Sequence, residues 1–194
     1  MLKAVQSRTL KTRAKLIAAA EAVIEENGYE AMRVEEVVLR AGVAKGTFFA
    51  HFPDKEELMD QLIGARIDTC LDQIAKAPTP QTITDMVDAL MPLVAFMSCE
   101  RYVFDVIFRH SGAATIDKTG VIAMTFEHQA KIVSAWLKDS PFRRDVTPDL
   151  LAEGIQAFLM QAIALNFCAL HCEFAMRDRI VQYLQAWLAP DIRA

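Results

Sequence analysis

Between Arg33 and Lys55 the chain gathers side chains that carry positive charge or donate hydrogen bonds: Arg33, Lys45, Thr47, His51 and Lys55. Ammonium and guanidinium groups pair with phosphate, while a hydroxyl or an imidazole nitrogen bonds either phosphate or a base edge. Gly46 among them lets backbone approach a duplex closely. The chemistry these types share is recognition of a polyanion. Motifs for bond making are missing: there is no GxSxG, HExxH, P-loop or dinucleotide glycine pattern, and no Glu followed three residues later by His. Cys168, His171 and Cys172 form the one cluster of soft ligands, but His171 points about 100° away from both cysteines on a helix, and structural zinc wants four ligands. The chain is therefore read as no enzyme, with no cofactor and no metal.

The elements that must position these groups follow from apolar spacing. Val34, Val37, Val38 and Ala41 recur at i, i+3, i+4 and i+7, the face of an amphipathic helix. Gly42 follows the last of them, where a chain leaving a helix needs a left-handed residue, and Val43 plugs the turn. A second helix over Ala44–Phe52 sets Phe48 and Phe52 inward and leaves Lys45, Thr47, Phe49 and His51 off that stripe. Pro53 ends it, and Asp54 with Glu57 predicts a capping box for the next helix. Two helices around a glycine turn describe a DNA-reading helix-turn-helix. The same spacing also fits an ordinary pair of core helices in a bundle that touches no nucleic acid.

The segment AGVAKGTFFAHFPDKEEL resembles the DNA-binding signature of TetR-type transcriptional regulators, usually read as AGVSKGTLYYHFPSKEEL. The resemblance covers about residues 10–65. It implies that Lys45, Thr47, Phe49, His51 and Lys55 face double-stranded DNA, with Arg33 and Ala44 at the helix starts beside them. Phe49 stands where a tyrosine is frequent and lacks its hydroxyl, Ala44 replaces a serine cap, and Ala50 lacks a large side chain. Arg33 adds a charged phosphate contact in place of a hydroxyl.

At 194 residues and 53% hydrophobic content the chain is long and apolar enough for one sizeable core or two small ones. Few Gly and Pro interrupt a background of good helix formers, so the expected class is all-α, with about nine helices and no sheet. The helices are predicted at Thr12–Asn27, Val34–Ala41, Ala44–Phe52, Lys55–Lys76, Thr82–Met97, Arg101–His110, Asp117–Lys138, Pro148–Cys172 and Phe174–Leu188. Thr82 with Asp85, and Thr147 before Pro148, supply the capping signals. The predicted organisation is a DNA-binding head over residues 1–55 and an effector-binding and dimerisation domain over 56–194. The net charge is −4, yet residues 1–15 carry Lys3, Arg8, Lys11, Arg13 and Lys15 without an acid, and such a basic arm beside a helix-turn-helix reaches phosphates or the minor groove. No apolar secretory leader opens the sequence, and Ile155–Leu170, broken by Gln156, Gln161 and Asn166, is short of the roughly 20 residues of a membrane span. A cytoplasmic protein without membrane contact is expected, its cysteines acting as small hydrophobes.

The penultimate helix carries apolar side chains around nearly its whole circumference, so it must be covered on every side. A partner subunit meeting Leu151, Ile155, Phe158 and Leu159, together with Tyr183, Leu184 and Trp187 of the last helix, gives an isologous homodimer. A central helix buried within a monomer is the alternative. The TetR resemblance implies the dimer and a small-molecule effector of unknown identity that releases a repressor from a palindromic operator. Phe96, Met97, Phe104, Phe108, Met124 and His128 are the candidate pocket residues, since bulky adaptable side chains suit a cavity, although they equally suit a solid core. A helical small-molecule carrier without DNA binding is the competing function, and a constitutive regulator with no ligand is a third.

Overall fold

The computed structural model describes residues 2–112, 119–170 and 173–189, with side chains from residue 8 onward. Among the described residues there are nine helices and no strand: α1 (Leu2–Asn27), α2 (Val34–Ala41), α3 (Lys45–Phe49), α4 (Lys55–Ile74), α5 (Ile83–Met97), α6 (Arg101–His110), α7 (Val121–Lys138), α8 (Pro148–Asn166) and α9 (Met176–Leu188). The chain divides between Ile63 and Gly64 into two compact units.

In the first unit, Leu16, Ala20 and Val23 of α1, Val37 and Val38 of α2, Phe48 of α3, Phe52 after it, and Leu58 and Met59 of α4 are all buried. Helix α1 begins ten residues before the predicted Thr12. Residues 2–11 hold neither Gly nor Pro, so nothing in the sequence stops the helix from extending, and the expected basic arm is helical. Arg8, Lys11 and Lys15 lie exposed along it. The Lys3 side chain lies outside the described residues. Gly28 (φ 87°) and Gly42 (φ 65°) take the left-handed conformation that terminates α1 and α2.

In the second unit, α7 packs on α8, α8 on α9, and α5 on α9. Local caps behave as their residues predict. Thr82 and Asp85 exchange both bonds of a capping box at the start of α5, and Thr147 Oγ1 accepts from the Leu150 amide ahead of α8. The tertiary environment moves other ends. Helix α8 stops at Asn166 rather than running to Cys172, and the Phe167 ring at its C-cap lies 5.9 Å from Phe104 of α6, with the Arg101 guanidinium 5.8 Å from its centroid. Helix α7 starts at Val121 with Gly120 as N-cap; the predicted start at Asp117 lies outside the described residues, as do His171 and Cys172. Cys70 is buried, whereas Cys99 is exposed and so is no core filler.

Helices α8 and α9 meet closely at one place. A Cβ built on Gly154 would lie 2.5 Å from the Trp187 indole, whose Nε1 donates to the Leu151 carbonyl at 3.1 Å. Glycine in a helix interior ordinarily costs about 1 kcal/mol relative to alanine, so here that cost is exchanged for the flat contact of a large ring. The Gly154→Ala variant is accordingly expected to lose about 1–3 kcal/mol in urea denaturation followed by tryptophan fluorescence, against the gain that helix propensity alone would give.

Candidate nucleic-acid interface

The recognition segment is built from the turn outward. The Gly42 and Val43 amides donate back to the Leu39 and Val38 carbonyls at 3.2 and 3.0 Å, which closes α2 and redirects the chain. Helix α3 follows with only five residues, and the Ala50, His51 and Phe52 amides continue to bond the Gly46 and Phe48 carbonyls at 2.9–3.1 Å past its end. Arg33 stands at the α2 N-cap in extended conformation with no side-chain cap bond, as expected where a hydroxyl residue is missing. Asp54 Oδ1 accepts from the Glu57 amide at 2.9 Å at the start of α4.

Arg33, Lys45, Phe49 and Lys55 come together around one open hollow of about 380 Å³, also lined by Glu30, Met32, Val34, Glu35 and Asp54. Ala44 and Gly46 are exposed and Thr47 and His51 half-buried on the same short segment, outside that lining. Phe49 is 46% exposed, a large apolar ring left at the surface, with its edge against Phe48 at 5.3 Å between centroids.

The two lysines differ in what they do. Lys45 is exposed and its Nζ lies 2.5 Å from Glu35 Oε1, a contact that holds the Glu35 carboxyl below its usual range, chiefly through the hydrogen bond Lys45 donates. Lys55 is turned inward, donating to the Met32 carbonyl at 2.8 Å and the Glu30 carbonyl at 3.3 Å. Burial lowers the Lys55 ammonium below the ordinary lysine range, and the nearby Arg33 charge lowers it further. Lys55 therefore ties the segment before α2 to the start of α4 rather than projecting freely.

Two functional neighbours are invisible in the apolar spacing. Glu35 competes for Lys45 from ten residues away across the turn; its place in the first turn of α2 signals only a favourable dipole position. Arg13 lies with its guanidinium 4.3 Å from the Phe52 ring centroid and donates to Gln61 Oε1, so one cation of the basic stretch supports the head from inside. The Glu26–Arg40 pair, with contacts of 2.5 and 2.7 Å, joins the ends of α1 and α2.

In the second unit the candidate pocket residues lie at different depths. Met97 and Phe104 are buried, Phe96 is half-buried with the Arg66 guanidinium 6.0 Å from its centroid, and Phe108 and Met124 are 66% and 60% exposed. His128 lies instead on an open groove of about 560 Å³ with Ile132, Trp136 and Ala75, its Nδ1 3.1 Å from Asp68 Oδ1. Of the interface candidates, Leu151, Ile155, Leu159 and Leu184 are buried in the chain's own core. Phe158, Tyr183 and Trp187 are half-buried, with the Phe158 ring 5.2 Å from Tyr183 and 5.8 Å from Trp187. No helix among the described residues is long and apolar enough to cross a membrane, and no group of three His, Cys, Asp or Glu among them is placed to hold a metal ion.

Residues 16–62 match the family model described as bacterial regulatory proteins, tetR family. Over 52 residues the chain is 46% identical to the HTH-type transcriptional regulator CymR of Pseudomonas putida, covering 27% of this chain and 26% of that one. Over 103 residues it is 35% identical to the HTH-type transcriptional repressor KstR of Mycobacterium tuberculosis, covering 47% of each. The chain thus spans from about a quarter to about half the length of these curated relatives. Its fold extends further: the crystal structure of Thermus thermophilus FadR, a TetR-family repressor in complex with lauroyl-CoA, superposes with a TM-score of 0.64 at 16% identity, over 94% of this chain and 98% of that one. Residues 16–62 thus carry the sequence model of the tetR-family helix-turn-helix, within a chain whose all-helical fold is similar to that of solved TetR-family proteins.

Proposed function

We propose that the protein is a dimeric, DNA-binding transcriptional repressor released from a palindromic operator by a small-molecule effector. The observation that carries this reading is the convergence of Arg33, Lys45 and Phe49 on one hollow at the surface of the helix-turn-helix. Residues 1–55 act as the head and residues 56–194 hold effector and partner. Lys45 and Arg33 neutralise phosphate, Thr47 and His51 supply hydrogen bonds, Gly46 and Ala44 keep the backbone near the duplex, and Phe49 offers an apolar surface to sugars or thymine methyl groups. Lys55 acts chiefly by fixing the loop that presents Arg33. The protein works in the cytoplasm and catalyses no reaction.

The partner surface is the outer aspect of α8 and α9 around Phe158 and Tyr183, since the deeper leucines and isoleucines are already covered by the chain itself. Two-fold pairing sets two heads on adjacent major grooves. An effector releases DNA only by binding more tightly to a head spacing that does not fit the operator, and by linkage DNA then weakens the effector equally. The complex of FadR with lauroyl-CoA, in a fold like this one, supports a small-molecule effector.

Three measurements test this reading. Lys45→Ala is expected to weaken binding to duplex DNA and to lower the slope of log K against log salt by about one, as one lost phosphate contact requires; an unchanged slope in fluorescence anisotropy removes Lys45 from the interface. Glu35→Gln, which frees Lys45 from an exposed ion pair, is expected to tighten binding by about two- to fivefold at low salt, and the gain should vanish in the Glu35→Gln/Lys45→Ala double variant. Phe158→Glu should give a monomer in light scattering with its helical circular dichroism retained; a dimer of unchanged stability would place the partner surface elsewhere.

A further inference from the structure

Helix α7 buries three polar side chains, and one of them is left with an unused donor. Thr125 Oγ1 donates to the Ile122 carbonyl at 2.7 Å, and Ser134 Oγ to Asp149 Oδ1 at 2.5 Å. Gln129 is only 6% exposed, and among the described residues its Nε2 has no hydrogen-bond partner. Rotating the amide does not cure this. Gln156 Nε2 donates to the Phe126 carbonyl, which only accepts, so the same Gln156 nitrogen faces Gln129 and must meet its oxygen, at 3.4 Å. Both N–H groups of Gln129 are thereby turned away from that network.

A buried donor without an acceptor is costly, and folded proteins supply one from water or a ligand. The surroundings decide which kind of ligand is compatible. Thr125, Gln129, Ser134 and Ser140 are the buried polar side chains among the described residues of this unit, and none is a cation. An anionic ligand would be taken from water with no opposing charge, whereas a neutral oxygen needs only the amide donor. Ile122, Val133, Ile155 and Leu159 on the same two helices are buried and apolar, which suits a hydrocarbon body. Resting on the effector reading above, we infer that this unit takes an uncharged, largely apolar molecule whose oxygen accepts a hydrogen bond from Gln129 Nε2.

Calorimetric titration of the full chain, without DNA, with toluene, acetophenone and benzoate separates the possibilities, because the three share a ring and differ in the acceptor. Acetophenone is expected to bind about tenfold more tightly than toluene, and benzoate not measurably. Gln129→Leu should bring acetophenone down to the level of toluene while raising the melting temperature of the ligand-free protein; Gln129→Met serves if the leucine variant does not fold. Equal affinity for acetophenone and toluene, preference retained in the variant, tighter binding of benzoate, or no binding of acetophenone overturns the inference, the last leaving water only as the partner of Gln129. Since no DNA is present, a preference for acetophenone in a protein that fails the salt titration with DNA would refute the repressor reading alone.

Discussion

Helix α3 is five residues long, far below the length at which a helix holds itself in water, so the direction of every recognition side chain depends on how Phe48 and Phe52 are packed. Both rings are fully buried, 5.5 Å apart, and the Arg13 guanidinium lies against Phe52. With those rings fixed, Lys45 and Phe49 are set on the solvent side by helical geometry. Lys55 completes the frame from the other end by binding two carbonyls of the segment that leads into Arg33. The head therefore spends two cations, Arg13 and Lys55, on architecture and keeps Lys45 at its surface.

That division bears on how a protein with a net charge of −4 would meet the polyanion of the proposed function. Attraction to phosphate depends on local charge within roughly a Debye length of about 8–10 Å and little on the whole-chain sum. Arg33 lies close enough to Lys55 for its charge to disfavour the ammonium, which a phosphate would relieve. Glu35 works the other way: its carboxylate already satisfies Lys45, so phosphate must displace a partner rather than find a bare charge. An exposed ion pair contributes little to stability, hence the exchange costs little and discriminates weakly between sequences.

What the sequence made legible was whatever is decided within a few residues. Gly28 and Gly42 as helix stops, Thr82 with Asp85 as a capping box, Thr147 before Pro148, and Phe48 and Phe52 as the buried pair all follow from local geometry. The end of α8 was not legible, because Phe167 leaves the helix beside Phe104, over sixty positions earlier. The inward turn of Lys55 depends on carbonyls more than twenty residues upstream, and Glu35 finds Lys45 only after the turn folds. Apolar type alone does not give depth: Phe108 and Met124 lie at the surface of the chain, while Leu151 and Ile155 are inside.

The same limit explains why an all-round apolar helix does not by itself delimit a partner surface. On α8 the angular spread of apolar residues leaves open which of them face the chain's own core. Gly154 settles part of this, since its missing side chain admits the Trp187 indole and draws α9 against one side of α8. Leu151, Ile155 and Leu159 then become interior, and Phe158 is left at the seam between the two helices against Tyr183 and Trp187. A partly exposed aromatic cluster on two adjacent helices offers large rigid area at low entropic cost, which is the composition that association surfaces favour at their centres. The apolar face left for the proposed partner is thus shaped by a glycine at the contact of α8 with α9.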